Sequence, residues 1–181
     1  MHPEIKTQWE KAEKARLKML QLIANATEAQ REFVPGEDKW NMLNVAQHLI
    51  QAEKGVLWQF EKFGDGKGKK ANLLAGLRSL LTSLLLKSPA KIKVPKKARE
   101  AFKPFDKQGY ESVKNEWDTL RNQMQIWAEN YPDTKANRYV FKHPVSGLLT
   151  PTQTFRFLKD HIDHHIKQIE RIKKSEGFTD A

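Results

Sequence analysis

The chain has 181 residues, 39 % of them hydrophobic and 30 % charged, with nine glycines and eight prolines. That size and mixture suit a single domain over 1–181 with a substantial core, and exclude a disordered or fibrous chain. Cysteine is absent, which excludes disulfides, cysteine-based zinc sites, redox centres and thiol nucleophiles of the protein's own. The opening MHPEIKTQWEKAEKARLK is charged almost at once and has no apolar signal region. The longest apolar stretch, Leu73 to Leu86, is interrupted by Gly76, Arg78 and Thr82 and is too short to span a bilayer. A cytoplasmic protein with no membrane partner is the expectation. The net charge of +10 raises nucleic acid as a partner. Much of the excess, however, lies between Lys87 and Lys107, where Pro89, Pro95 and Pro104 describe a solvated basic loop rather than a recognition helix.

Residues 3 to 32 have helical spacing, with Ile5, Trp9, Leu17, Leu20 and Ile23 placed to fill one face. Pro35-Gly36 marks a turn. A second helix is predicted from about Asn41 to Phe63, with the stripe Met42, Val45, Leu49, Ala52 and Val56 and with His48 inside that stripe. The run Gly64-Asp65-Gly66-Lys67-Gly68 breaks it. A shorter, leucine-rich helix follows at 71–86, wide enough on its apolar side for a core or a subunit interface. After the basic loop, Gly109 to Tyr131 predicts a helix carrying Val113, Trp117, Leu120, Met124 and Trp127, stopped by Pro132-Asp133. Residues 133–150 read as an irregular crossing with a short extended piece at Arg138–Phe141. Thr150 caps and Pro151 opens the last helix, which runs to about Ser175 with Phe155, Leu158, Ile162, Ile169 and Ile172 inward. Four long helices and one shorter one make an all-α bundle.

The chemistry lies in the six histidines. Three fall in Asp160-His161-Ile162-Asp163-His164-His165. Positions four apart share a helix face, so His161 and His165 point together, in register with the inward isoleucines. His48 is inward on another helix. Either the three imidazoles are hydrogen-bonded core residues, or they converge on a metal that gives all of them one partner. His164 lies off the stripe at the rim, an i, i+3 pair of His161 and His164 being the weaker alternative, and His2 is terminal. His143, in the loop His143-Pro144-Val145-Ser146-Gly147, either hangs over the site or caps a neighbouring carbonyl.

Three segments together carry a family resemblance. Lys39-Trp40-Asn41 leads into Val45-Ala46-Gln47-His48-Leu49; His143-Pro144 precedes Gly147, Leu149 and Thr150; His161 and His165 are followed by Gln168-Ile169. In that order and spacing the chain resembles the DinB-like superfamily, which includes the YfiT-like metal-dependent hydrolases and the bacillithiol transferases. The resemblance implies a four-helix bundle in up-down-down-up order. It also implies one divalent metal held by His48, His161 and His165, often in a homodimer. The leucine-rich helix and basic loop depart from the family pattern as an insertion or an elaborated crossover.

Histidine ligation suits zinc or nickel foremost, with iron and cobalt as alternatives. Such an ion lowers the pKa of what it binds, so the expected function is metal-dependent S-transfer from a low-molecular-weight thiol, or hydrolysis of a small-molecule substrate. The glutamate base of HExxH proteases is excluded, because Ile162 occupies its position. Asp160 and Asp163 emerge on other faces, as surface charges or as partners behind the ligands. No catalytic base is assigned. The alternatives are a non-catalytic bundle, stabilised by metal or dimerising through the leucine-rich helix, and, last, a nucleic-acid binder using the basic loop.

Overall fold

The computed structural model describes residues 1–63, 68–71 and 107–179. Within them, apolar residues at three- and four-residue spacing build α1 (Pro3–Ala24), α3 (Met42–Phe63), α4 (Tyr110–Asn130) and α5 (Pro151–Ile172), and a short α2 (Glu28–Glu32) without a buried residue lies between α1 and α3. α1 lies along α5 and α3 along α4, while α3 also meets α5. The four apolar stripes thus close on one core, an all-α four-helix bundle, with Trp117, Phe60, Phe155, Met19 and Met124 among its largest buried side chains. The leucine-rich helix expected at 71–86 and the basic loop at about 87–107 lie outside the described residues, except Ala71 and Lys107. Lys107 pairs with Glu32 at 3.3 Å.

The single helix expected over 3–32 is in fact two. Thr27 and Gln30 cap each other's backbone N–H groups at 3.1 Å and start α2 afresh. Arg31 then donates to the carbonyls of Ile23 and Ala24 at 2.9 and 2.8 Å, tying α2 to the last turn of α1. Leu17, expected inside, is 53 % exposed. The inward register runs instead through Ile5, Trp9, Ala12, Arg16, Met19 and Ile23. Arg16 takes the inner position because Glu13 and, from α4, Asp118 hold its guanidinium. Ala52 is half-buried rather than central. Trp127 sits at the core's edge, stacked on Phe60 with ring centroids 3.8 Å apart and donating its Nε1–H to the Phe60 carbonyl at 3.1 Å.

The crossing from α4 to α5 contains a hairpin. Its first strand, β1 (Phe141–His143), starts where the expected extended piece at 138–141 ends, and pairs antiparallel with β2 (Gly147–Leu149). Three-residue strands are too short to show a two-residue period. His143 faces Gly147 across the closing pair, and Gly147 has φ +75°, a conformation that costs other residues more. The hairpin runs straight into α5, whose start follows the sequence signals. Thr150 and Gln153 form a reciprocal cap and Pro151 takes the first turn. No helix of the described residues is long and apolar enough to cross a membrane.

Candidate metal centre

Asn41 caps α3 by accepting the Asn44 N–H at 2.8 Å, and the register that follows turns His48 toward α5 between the buried Val45 and Leu49. On α5, His161 and His165 are one turn apart on the same face. Their ligand atoms and that of His48 all lie within 4.8 Å of one another. The Nε2 of His161 is 3.1 Å from the Nε2 of His165 and 3.3 Å from that of His48.

Those two contacts define the chemistry. A neutral imidazole nitrogen carries either one proton or one lone pair. The Nε2 of His161 can therefore satisfy one of its two neighbours by hydrogen bonding, but not both. Protonating the rings does not help. Burial pushes His165 down to about 3, and burial with the nearby His164 pushes His48 down to about 4. His161 is lowered well below the usual histidine value, first by burial and then by His165 and His48. All three are neutral near pH 7, with lone pairs available to a cation. His165 is set for that role, since its Nδ1–H donates to the Gln168 side-chain carbonyl at 2.8 Å and leaves the Nε2 lone pair free to point at the others. His161 has no such brace. Its Nδ1 is buried and finds no hydrogen-bond partner among the described residues. Phe157, one turn earlier on α5, instead stacks on its ring at 5.4 Å and 17°. The three histidines fit a metal ion by both geometry and donor chemistry.

The surrounding residues divide the expectations for the other candidates. Trp40 of the resemblance motif lies 5.0 Å, ring to ring, from His48. Among the described residues, His143 neither caps a carbonyl nor joins the ligands. Its Nδ1 accepts the Val145 and Ser146 N–H groups at 3.1 and 3.0 Å, and its ring rests 4.4 Å from Phe157. His164 is half-buried, its ring edge-on to that of His165 with centroids 5.3 Å apart. His2 caps α1, accepting the Glu4 N–H at 3.4 Å. Asp163 is a surface charge paired with Lys159 at 2.6 Å, but Asp160 is only 2 % exposed. The reading of Asp160 as a surface charge is thereby corrected. Phe157 went unmarked in the sequence, although its position four before His161 was the available signal.

A second buried polar cluster was not foreseen at all. Glu53 of α3, 1 % exposed, accepts from Trp117 Nε1 at 2.9 Å and from Arg121 Nε and Nη2 at 2.8 and 2.6 Å. Arg121 also faces Glu13 at 3.6 Å, Glu13 pairs with Arg16, and Arg16 reaches Asp118, which Lys114 meets at 2.8 Å. Polar residues at core positions break the apolar pattern, and periodicity alone does not mark them as buried.

Neither a curated protein nor a solved structure matches the chain at the significance required. The family model described as the DinB superfamily matches residues 11–169, a span that takes in His48, His161 and His165 together with the helices that carry them. The chain belongs to the DinB superfamily.

Proposed function

We propose that the protein is a metal-dependent enzyme in which His48, His161 and His165 hold one divalent ion, zinc or nickel foremost, to activate a small thiol for S-transfer or water for hydrolysis. The observation that carries this reading is the pair of Nε2 contacts at 3.1 and 3.3 Å, which three neutral imidazoles cannot both satisfy and a cation can. Membership of a superfamily whose resemblance implies a three-histidine metal supports it. A divalent ion held there supplies two positive charges that no ligand offsets, and so lowers the pKa of a bound thiol or water. The chain's part is to keep three nitrogens unprotonated and aimed together. Burial does the first, while Gln168 and Phe157 fix the rings for the second.

The test is to strip the protein with a chelator, reload it with zinc, nickel, cobalt or iron, and assay two reactions. One is conjugation of cysteine to a chloro-dinitrobenzene electrophile; the other is hydrolysis of a nitrophenyl ester. Metal-dependent turnover in one of them, lost in the His161→Ala, His165→Ala variant, is expected. Equal turnover with and without metal contradicts the proposal. Tight metal binding with no turnover in either assay favours the non-catalytic, metal-stabilised bundle.

A further inference from the structure

We propose that His143 orients the substrate, its Nε2–H donating a hydrogen bond to an oxygen acceptor, a carboxylate or carbonyl, on a ligand held at the three-histidine centre. This rests on the metal-centre reading above and adds a class of substrate to it.

The proton's place on the ring follows from the turn. Two backbone N–H groups, from Val145 and Ser146, converge on the Nδ1 of His143 at 3.1 and 3.0 Å, and the Ser146 hydroxyl lies 3.0 Å from the same atom. An atom that accepts from backbone donors holds a lone pair, so the single proton of a neutral ring is on Nε2. Burial keeps the ring neutral, with its pKa pushed down to about 4. Nε2 makes no hydrogen bond among the described residues. It is therefore a donor of fixed tautomer.

The hairpin places that donor beside the centre. Gly147 closes the turn opposite His143, and β2 leads through Thr150 into the helix that carries His161 and His165. The His143 ring packs 4.4 Å from Phe157, the same ring that stacks on His161. Phe157 thus touches both the His143 ring and one of the three histidines of the centre. Three neutral imidazoles bring no negative charge to a dication, and His143 adds a donor rather than an acceptor. A ligand bearing an anionic or carbonyl oxygen answers both features at once.

The test uses His143→Asn. An asparagine Oδ1 can accept the N–H groups two and three residues on, as the Nδ1 does now, so the turn is kept while the Nε2–H is lost. Wild-type and variant protein are loaded with cobalt(II) and titrated with mercaptoacetate and with ethanethiol, two thiols that differ by a carboxylate. Sulfur-to-cobalt absorption reports binding, and elemental analysis of the same samples reports cobalt content. The wild type is expected to prefer mercaptoacetate by about tenfold or more, the size of one hydrogen bond to a charged group. In the variant the preference should fall to within about twofold, with ethanethiol affinity and cobalt content unchanged. The same preference in both proteins overturns the proposal. So does loss of cobalt in the variant alone, which makes His143 a support of the centre instead. Failure of the wild type to bind cobalt is the separate outcome that removes the metal reading itself.

Discussion

The ionic cluster joining α1, α3 and α4 pairs acids with bases, whereas the cluster joining α3 and α5 gathers three histidines. In the first, the carboxylates of Glu13, Glu53 and Asp118 are matched by Arg16, Arg121 and Lys114. Burial is tolerable there because each charge meets an opposite one and several hydrogen bonds as well. In the second, three bases face one another, and two of their contacts cannot both be made. A closed network of this kind holds the bundle together. A convergent set of like donors is what a protein keeps when something from outside completes it.

The comparison can be broken first at the ionic cluster. Glu53→Ala leaves the Arg121 guanidinium buried without its bidentate partner and should cost about 3–5 kcal/mol in urea unfolding, metal present or not. A cost below about 1 kcal/mol would mean that the cluster does not act as a closed unit. Chelation probes the other side. Removing metal from the wild type should lower its unfolding free energy by about 2–4 kcal/mol, the linkage expected for an ion well above its dissociation constant. The His161→Ala, His165→Ala variant should not respond to chelator, while Glu53→Ala should respond as the wild type does.

Acid sharpens the contrast. In metal-free protein the unfolded chain takes up protons on its histidines near 6.5, while the fold resists protonation of His48 to about 4 and of His165 to about 3. The unfolded state binds more protons in that window, so stability rises with pH across it and is lost as pH falls from about 6.5 toward 4. Replacing His48 and His165 with phenylalanine should make that slope shallower in a pH series of melting curves, leaving the part that His161 and His143 contribute. An unchanged slope would contradict the burial of these two rings. The smallest effect concerns the register of α1. Leu17→Lys should change stability by no more than about 0.5 kcal/mol, against about 2–5 kcal/mol for Leu20→Ala one turn of the stripe away.

The sequence made some of these residues visible and hid others for physical reasons. His161 and His165 were legible because their four-residue spacing falls on an apolar stripe, and His48 because it interrupts a clean stripe of its own. The start of α5 was legible in Thr150 and Pro151. Arg16 and Glu53 were hidden because their partners lie far away along the chain, Asp118 at 102 residues and Arg121 at 68, and a lone charge gives no sign that it is paired. The same blindness put Leu17 inside in place of Arg16. The hairpin was shorter than the period that betrays a strand, so His143 could be suspected of nearing the site but not given its turn or its tautomer.

The central claim is that the three imidazoles exist to bind an ion, and the most direct measurement is elemental analysis of protein purified without an affinity tag, beside its His161→Ala, His165→Ala variant. About one divalent metal per chain in the wild type, absent from a variant that keeps its helical circular dichroism, is the predicted result. No metal in the wild type after incubation with zinc or nickel, or wild-type metal content in the variant, would contradict it.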